Sequence, residues 1–318
     1  MKVLELYSGI GGMHLALQAS KLPGEVIASV DINTVANHVY GYNFPETNLL
    51  NRNIQSLTPK FINSLEVDTI LMSPPCQPFT RNGLQKDVDD ARTCSFTHIL
   101  QILPELKVKS ILIENVKGFE CSEMRERLIE ALQAAGFNYQ EFMLSPTQFG
   151  IPNTRHRYYC LASRCPDKFT CGPMMELFKY ESFPKPFEIV DVLENGDVVE
   201  EYRLSEKVLN KRGNILDICY GHSTRSCCFT KAYGRYIEGT GSVYCPKSEA
   251  ETAEVYNAES KDLLSLKMRF FTPREVCRLM AFPETFAFPA STTKKQMFNL
   301  LGNSVNVKVV SELIKVLI

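Results

Sequence analysis

Short apolar blocks recur through the first half of the chain, at residues 3–7, 25–30, 68–72, 110–113 and 139–144. Each is four to six residues long and predicts a strand. Between them, residues 13–20, 96–106 and 122–135 carry apolar positions at helical spacing. The second of these should end near Pro104, and the third is closed by Gly136. Strand and helix in alternation predict an α/β fold whose mostly parallel sheet is covered on both faces. Such sheets bind ligands beyond the C-terminal ends of their strands. The periodicity weakens after Cys160. Residues 161–265 mix Pro, Gly, aromatic and charged positions, with an acidic stretch from Glu194 to Glu201, and read as a separate, smaller domain. Helical patterning returns at Thr272-Pro273-Arg274-Glu275, where Thr caps, Pro takes the first helical position and Glu follows three residues after the cap. Residues 305–318 are apolar but broken by Asn306, Lys308, Ser311, Glu312 and Lys315, the pattern of an amphipathic helix laid on a core.

A length of 318 residues fits two domains or one large domain with an insertion. With 44% hydrophobic and 22% charged residues, the chain is ordinary globular material. Lys plus Arg (35) nearly equals Asp plus Glu (36), a net charge of −1 that excludes a broad basic field. Nucleic-acid binding therefore requires a local patch. The eleven cysteines include no CxxC pair, and no targeting or membrane segment is read. Free thiols in a reducing compartment, cytoplasm or nucleus, are expected. Cys160, Cys165 and Cys171 lack paired zinc-ligand spacing, and no metal is expected.

Four constellations carry chemistry. Tyr7-Ser8-Gly9-Ile10-Gly11-Gly12 lies between a strand and a helix, and Asp31 ends the next strand twenty residues beyond Gly11. Glycines admit a close ligand, and an acid there accepts hydrogen bonds from ribose hydroxyls. A plain glycine-rich turn with a helix-capping Asp is the alternative. His14 stands where a dinucleotide fingerprint would place its third glycine, which tilts the choice toward S-adenosyl-L-methionine. Ser73-Pro74-Pro75-Cys76-Gln77-Pro78-Phe79 follows an apolar strand. Its prolines stiffen the loop and can hold the Cys76 thiol toward a ligand, although a structural Cys in a turn reads the same way. Glu114-Asn115-Val116 again follows an apolar strand, and its carboxylate could reach a ring nitrogen or merely cap a helix. One helix separates Cys76 from Glu114, so their strands are expected to be neighbours facing one crevice. In Asn153-Thr154-Arg155-His156-Arg157, alternation puts Arg155 and Arg157 on one face, suited to phosphate or a carbonyl oxygen, and His156 on the other. An exposed basic strand is the plainer reading.

In this order these segments resemble the cytosine C5-methyltransferases. Two later stretches extend the likeness: residues 271–279 with Phe282-Pro283, and Leu301-Gly302-Asn303-Ser304-Val305. Cys228-Phe229-Thr230-Lys231, leading to Gly239-Thr240-Gly241-Ser242, resembles the signature of a branch that methylates a cytosine in the anticodon loop of aspartate tRNA. The resemblance implies a Rossmann-like catalytic domain of residues 1–160 and 285–318, with an inserted target-recognition domain of residues 161–284. It implies Cys76 as nucleophile, with Glu114, Arg155 and Arg157 around the base. It implies S-adenosyl-L-methionine held by Ser8, Gly9, Ile10, Gly11, Gly12, Asp31, Ile32, Asn53, Ile54, Ser73, Pro75, Asn303, Ser304 and Val305. Lys231 and Arg235 would meet the substrate, tRNA first and duplex DNA as the alternative. Asn153 stands where many members have Gln, and Asn53 where many have Asp. Residues 80–96, polar and rich in Asp, are expected to form a loop that orders over the bound base.

Overall fold

The computed structural model describes residues 1–75, 94–178, 184–260 and 262–318. Cys76 and residues 80–93 of the expected loop lie outside the described residues, while residues 94–96 open a helix. Seven strands form the main sheet: β1 (Lys2–Leu6), β2 (Glu25–Asp31), β3 (Asn48–Asn51), β4 (Thr69–Met72), β5 (Ser110–Val116), β6 (Asn138–Leu144) and β7 (Arg157–Ser163). Their order is β3-β2-β1-β4-β5-β7-β6. All neighbours are parallel except β7, which runs antiparallel to both β5 and β6.

The apolar blocks are continuous because the sheet is buried on both faces. Ile70 and Met72 of β4 and Ile111 and Ile113 of β5 enter one core, whereas Leu71 and Leu112 enter the other. The first core is closed by α4 (Cys94–Ile102) and α5 (Glu123–Ala134), with α3 (Pro59–Ser64) at its margin. The second is closed by α1 (Gly12–Ser20), α2 (Thr34–Asn43) and α10 (Val307–Leu317). In α10, Val309, Val310, Leu313, Ile314 and Leu317 recur at helical spacing and are all buried. Ser122 caps α5 through the Arg125 amide, and Gly136 turns the chain out at φ 77°.

The smaller sheet comprises β8 (Ile218–Cys219), β9 (Val243–Tyr244) and β10 (Arg269–Phe270), in the order β10-β9-β8. It has its own core of Leu204, Leu209, Val243, Cys245, Leu263, Leu266 and Met268, flanked by α6 (Glu206–Arg212) and α7 (Glu249–Asn257). Two features blur a clean division at residues 160 and 284. β7 runs three residues past Cys160, and Leu161 and Ala162 are buried in the main sheet. Phe229, Tyr233, Phe271 and helix α8 (Pro273–Leu279) share the second main core with α9 (Lys294–Gly302) and α10. The expected capping box at Thr272 and Glu275 is present, and Glu275 also holds Arg269 of β10 in a buried two-pronged pair at 2.7 and 2.8 Å.

Candidate active site

The parallel strands β1, β2, β4 and β5 all end on one cavity of about 1350 Å³. Among the residues expected to hold a cofactor, Ser8, Gly9, Ile10, Gly12, Asp31, Ile32, Asn53, Ile54, Ser73, Pro75, Asn303, Ser304 and Val305 line it. Gly11 does not. It turns the chain into α1 at φ 84°, and a Cβ there would strike Phe44 at 2.3 Å, so the turn requires glycine for reasons unrelated to a ligand. Gly12 serves closeness of another kind, since a Cβ would meet Val305 Cγ2 at 2.8 Å and Ser304 Oγ at 2.9 Å. The first loop and the turn before α10 therefore touch because residue 12 has no side chain.

Asp31 is held ready by backbone. Its Oδ2 accepts from the Gly9 amide at 2.8 Å and its Oδ1 from the Asn33 amide at 2.8 Å. Each oxygen retains a lone pair for a hydroxyl donor. Ile32 beside it is 65% exposed, an apolar surface at the cavity wall. Asn53 caps the short turn Ile54–Ser56 by accepting from the Gln55 amide at 3.0 Å. Ser8 Oγ is buried and has no hydrogen-bond partner among the described residues.

Glu114 and Arg157 line the same cavity from the ends of β5 and β7. The register pairs Met72 of β4 with Ile113 of β5, so the segment after β4 and Glu114 leave neighbouring strands, as the spacing predicts. Glu114 is 8% exposed, with Arg157 Nε 3.4 Å from its Oε1. Burial pushes its carboxyl above the ordinary range, against the pull of Arg157 and Arg155. Arg157 also reaches Cys228 Sγ at 3.7 Å.

Arg155 lines the cavity but its guanidinium is engaged with the protein itself. Nη1 donates to Phe229 O at 3.0 Å and to Cys228 Sγ at 3.2 Å, and Nη2 to Gly302 O at 3.1 Å and Ser304 O at 2.6 Å. The common face expected for the two arginines is present as their shared approach to Cys228, while His156 is exposed on the other side. Burial raises the Cys228 thiol, but Arg155 and Arg157 outweigh it and hold the thiol below its usual range. Asn153 does not face the cavity. Its Nδ2 donates to Ser226 Oγ at 3.0 Å and Cys227 O at 2.9 Å, fastening the segment that carries Cys228.

Lys231 and Arg235 are exposed at the rim, with Arg52 and Arg212 on the same cavity. Sequence reasoning missed Tyr236, exposed on this rim, and Glu5, buried beneath the glycine loop. An acid inside an otherwise apolar strand was the available signal for Glu5. Its carboxylate accepts from the Tyr40 hydroxyl at 2.9 Å and the His14 amide at 3.3 Å. Burial pushes its carboxyl up to about 8 from an ordinary 4.5. Between those values the folded chain holds a proton that the unfolded chain releases, so stability falls as pH rises through this window. Glu5→Gln, which keeps a neutral polar group there, is expected to raise the melting temperature above pH 8 by a few degrees and to flatten its decline from pH 5. Melting curves across that range check this, and an unchanged slope in the variant would refute it.

A family model for C-5 cytosine-specific DNA methylase matches residues 1–318. The chain is 50% identical to a Spodoptera frugiperda protein named tRNA (cytosine(38)-C(5))-methyltransferase, over 99% of this chain and 98% of that one. It is 42% identical to a Homo sapiens protein of the same name, over 100% and 99%. The crystal structure of a Spodoptera frugiperda DNMT2 mutant superposes with a TM-score of 0.91 at 50% identity, covering 99% of both chains. The chain thus belongs to the C-5 cytosine-specific DNA methylase family.

Proposed function

We propose that this protein transfers a methyl group to C5 of cytosine 38 in the anticodon loop of tRNA, with aspartate tRNA as the first substrate to test. The observation that carries this reading is similarity that spans 99–100% of this chain and 98–99% of the insect and human proteins bearing that name. The cavity supports it in chemical terms. An orphaned Ser8 hydroxyl, a backbone-held Asp31 carboxylate and the exposed Ile32 suit the amino-acid end, ribose and adenine of S-adenosyl-L-methionine. Ser8, Gly9, Ile10, Gly12, Asp31, Ile32, Asn53, Ile54, Ser73, Pro75 and residues 303–305 would hold it. When bound, it supplies an electrophilic methyl group to C5 of the base.

The chain's own residues make C5 able to accept that group. Cys76, as thiolate, adds to C6 and places enamine electron density at C5. Glu114, which burial keeps protonated above the ordinary carboxylate range, donates to N3 and accepts from the exocyclic amine, stabilising the adduct. Arg157 lies against Glu114 and meets the base carbonyl or a nearby phosphate. The C5 proton then passes to solvent, and its electron pair re-forms the C5–C6 double bond as Cys76 departs as thiolate. Arg155, bonded to three backbone carbonyls, acts as a positioning residue.

A target base must leave its stack, which costs less from a loop than from a duplex. A near-neutral chain with a local rim of Arg52, Arg212, Lys231 and Arg235 suits a small folded RNA better than extended duplex. Reducing conditions, as in cytoplasm or nucleus, keep the nucleophile available. The test supplies labelled S-adenosyl-L-methionine with an aspartate tRNA transcript, the same transcript carrying uridine at the target, or duplex DNA. Label is expected on the first alone. Label on DNA and not on tRNA would overturn the reading in favour of a DNA methyltransferase.

A further inference from the structure

Tyr236 is an aromatic side chain placed outside any core. The residue is 55% exposed, and its hydroxyl makes no hydrogen bond among the described residues. The turn that carries it is nonetheless built rigidly. Tyr233 points inward, donating to Ser242 O at 2.6 Å and accepting from the Phe271 amide at 2.8 Å, with rings of Phe229, Phe270 and Phe298 edge-on to it. Gly234, at φ 75°, brings the backbone so close to Phe298 that a Cβ would sit at 2.9 Å. The Tyr236 amide donates to Ala232 O at 3.0 Å, and its carbonyl accepts from the Thr240 hydroxyl at 2.7 Å. One tyrosine anchors the turn, and the other is held out on the rim of the cavity that Glu114 lines.

The guanidinium of Arg235 stands 5.1 Å from the centre of the Tyr236 ring, and neither Arg235 nor Lys231 has an acidic partner among the described residues. A fixed aromatic face beside unpaired cations is the arrangement that binds single-stranded nucleic acid, the ring taking a base and the cations its phosphates. We propose that Tyr236, steadied by Arg235, is a stacking platform for an unpaired base that flanks the target cytosine. Stacking there holds the loop open while the cytosine enters the cavity. The proposal rests on the tRNA reading above.

The test places 2-aminopurine beside the target in an anticodon-loop tRNA substrate. Binding to the wild-type protein and to Tyr236→Phe is expected to quench its fluorescence, and binding to Tyr236→Ala and Tyr236→Leu is not. In the latter two, KM for tRNA is expected to rise about ten-fold with little change in kcat, the size of one lost base stack. Their melting temperatures should match wild type, since the ring supports no core. Wild-type quenching and KM in Tyr236→Ala, with tRNA still methylated, would overturn the platform alone. A wild-type protein that leaves tRNA unmethylated would overturn the underlying function as well.

Discussion

Methyl transfer to tRNA is expected to be lost in Cys76→Ala and to fall by about 10²–10⁴-fold in Glu114→Ala, with tRNA binding retained in both. Without the thiolate, C5 of cytosine has too little electron density to accept a methyl cation equivalent. Without Glu114, the density displaced onto N3 has no proton donor. The environment of Glu114 adds a pH signature. Burial favours the neutral acid and Arg157, 3.4 Å away, favours the anion, with burial the larger effect. The protonated form is the one that donates to N3, so kcat should fall as pH rises through a value above the ordinary carboxylate range. Glu114→Gln keeps a donor for N3 and an acceptor for the amine but cannot ionise. It should retain more activity than Glu114→Ala and lose that limb of the pH profile. Stability should not suffer, because a neutral amide is cheaper to bury than a carboxylate. Single-turnover rates across pH decide the matter. Wild-type kcat in Glu114→Ala would refute the assignment.

The parallel half of the fold was legible because buried strands and the helices over them leave strong periodic signals. β4 is apolar from Ile70 to Met72 and β5 from Ile111 to Ile113, and β5 then continues through Glu114 at the edge of the cavity. β3 was not legible. Its four residues, Asn48–Asn51, include two leucines between asparagines, and its place at the sheet edge comes from pairing with β2 rather than from burial. Nor does local pattern reveal that β7 slips between β5 and β6, since strand order is decided by packing far along the chain. At the site, residue type was legible and employment was not. Arg155 and Arg157 share a spacing and a face, yet one is enclosed by carbonyls from residues 229, 302 and 304 while the other reaches Glu114. Gly11 and Gly12 are adjacent glycines of one loop, but the first relieves a clash with Phe44 and the second admits Ser304 and Val305. Such distinctions depend on partners many residues away.

The same partners hold a seam between two distant segments of the chain. Arg155→Met is expected to destabilise the protein by about 3–5 kcal/mol, the cost of removing a buried charged donor from its acceptors. The side chain is 3% exposed, and its loss strips donors from three carbonyls and from Cys228. Those carbonyls belong to two segments that meet nowhere in sequence, residues 228–231 and residues 302–304. Gly302 is the other half of the seam. A Cβ there would lie 2.1 Å from the Lys231 amide nitrogen and 2.2 Å from the Thr230 carbonyl carbon, and backbone cannot give way as a flexible side chain can. Gly302→Ala must therefore part the two segments, drawing Ser304 from the cavity wall and Lys231 from its rim. Because both variants open one junction, their effects should overlap, and the double variant should lose clearly less than the sum. Arg155→Lys keeps the charge but cannot span both segments with a single ammonium, and should recover little of the loss. Denaturant midpoints of the two singles and the double measure the coupling. S-adenosyl-L-methionine affinity should fall alongside, since residues 303–305 line the cavity. Strict additivity of the two destabilisations would show that Arg155 and Gly302 do not act on one seam.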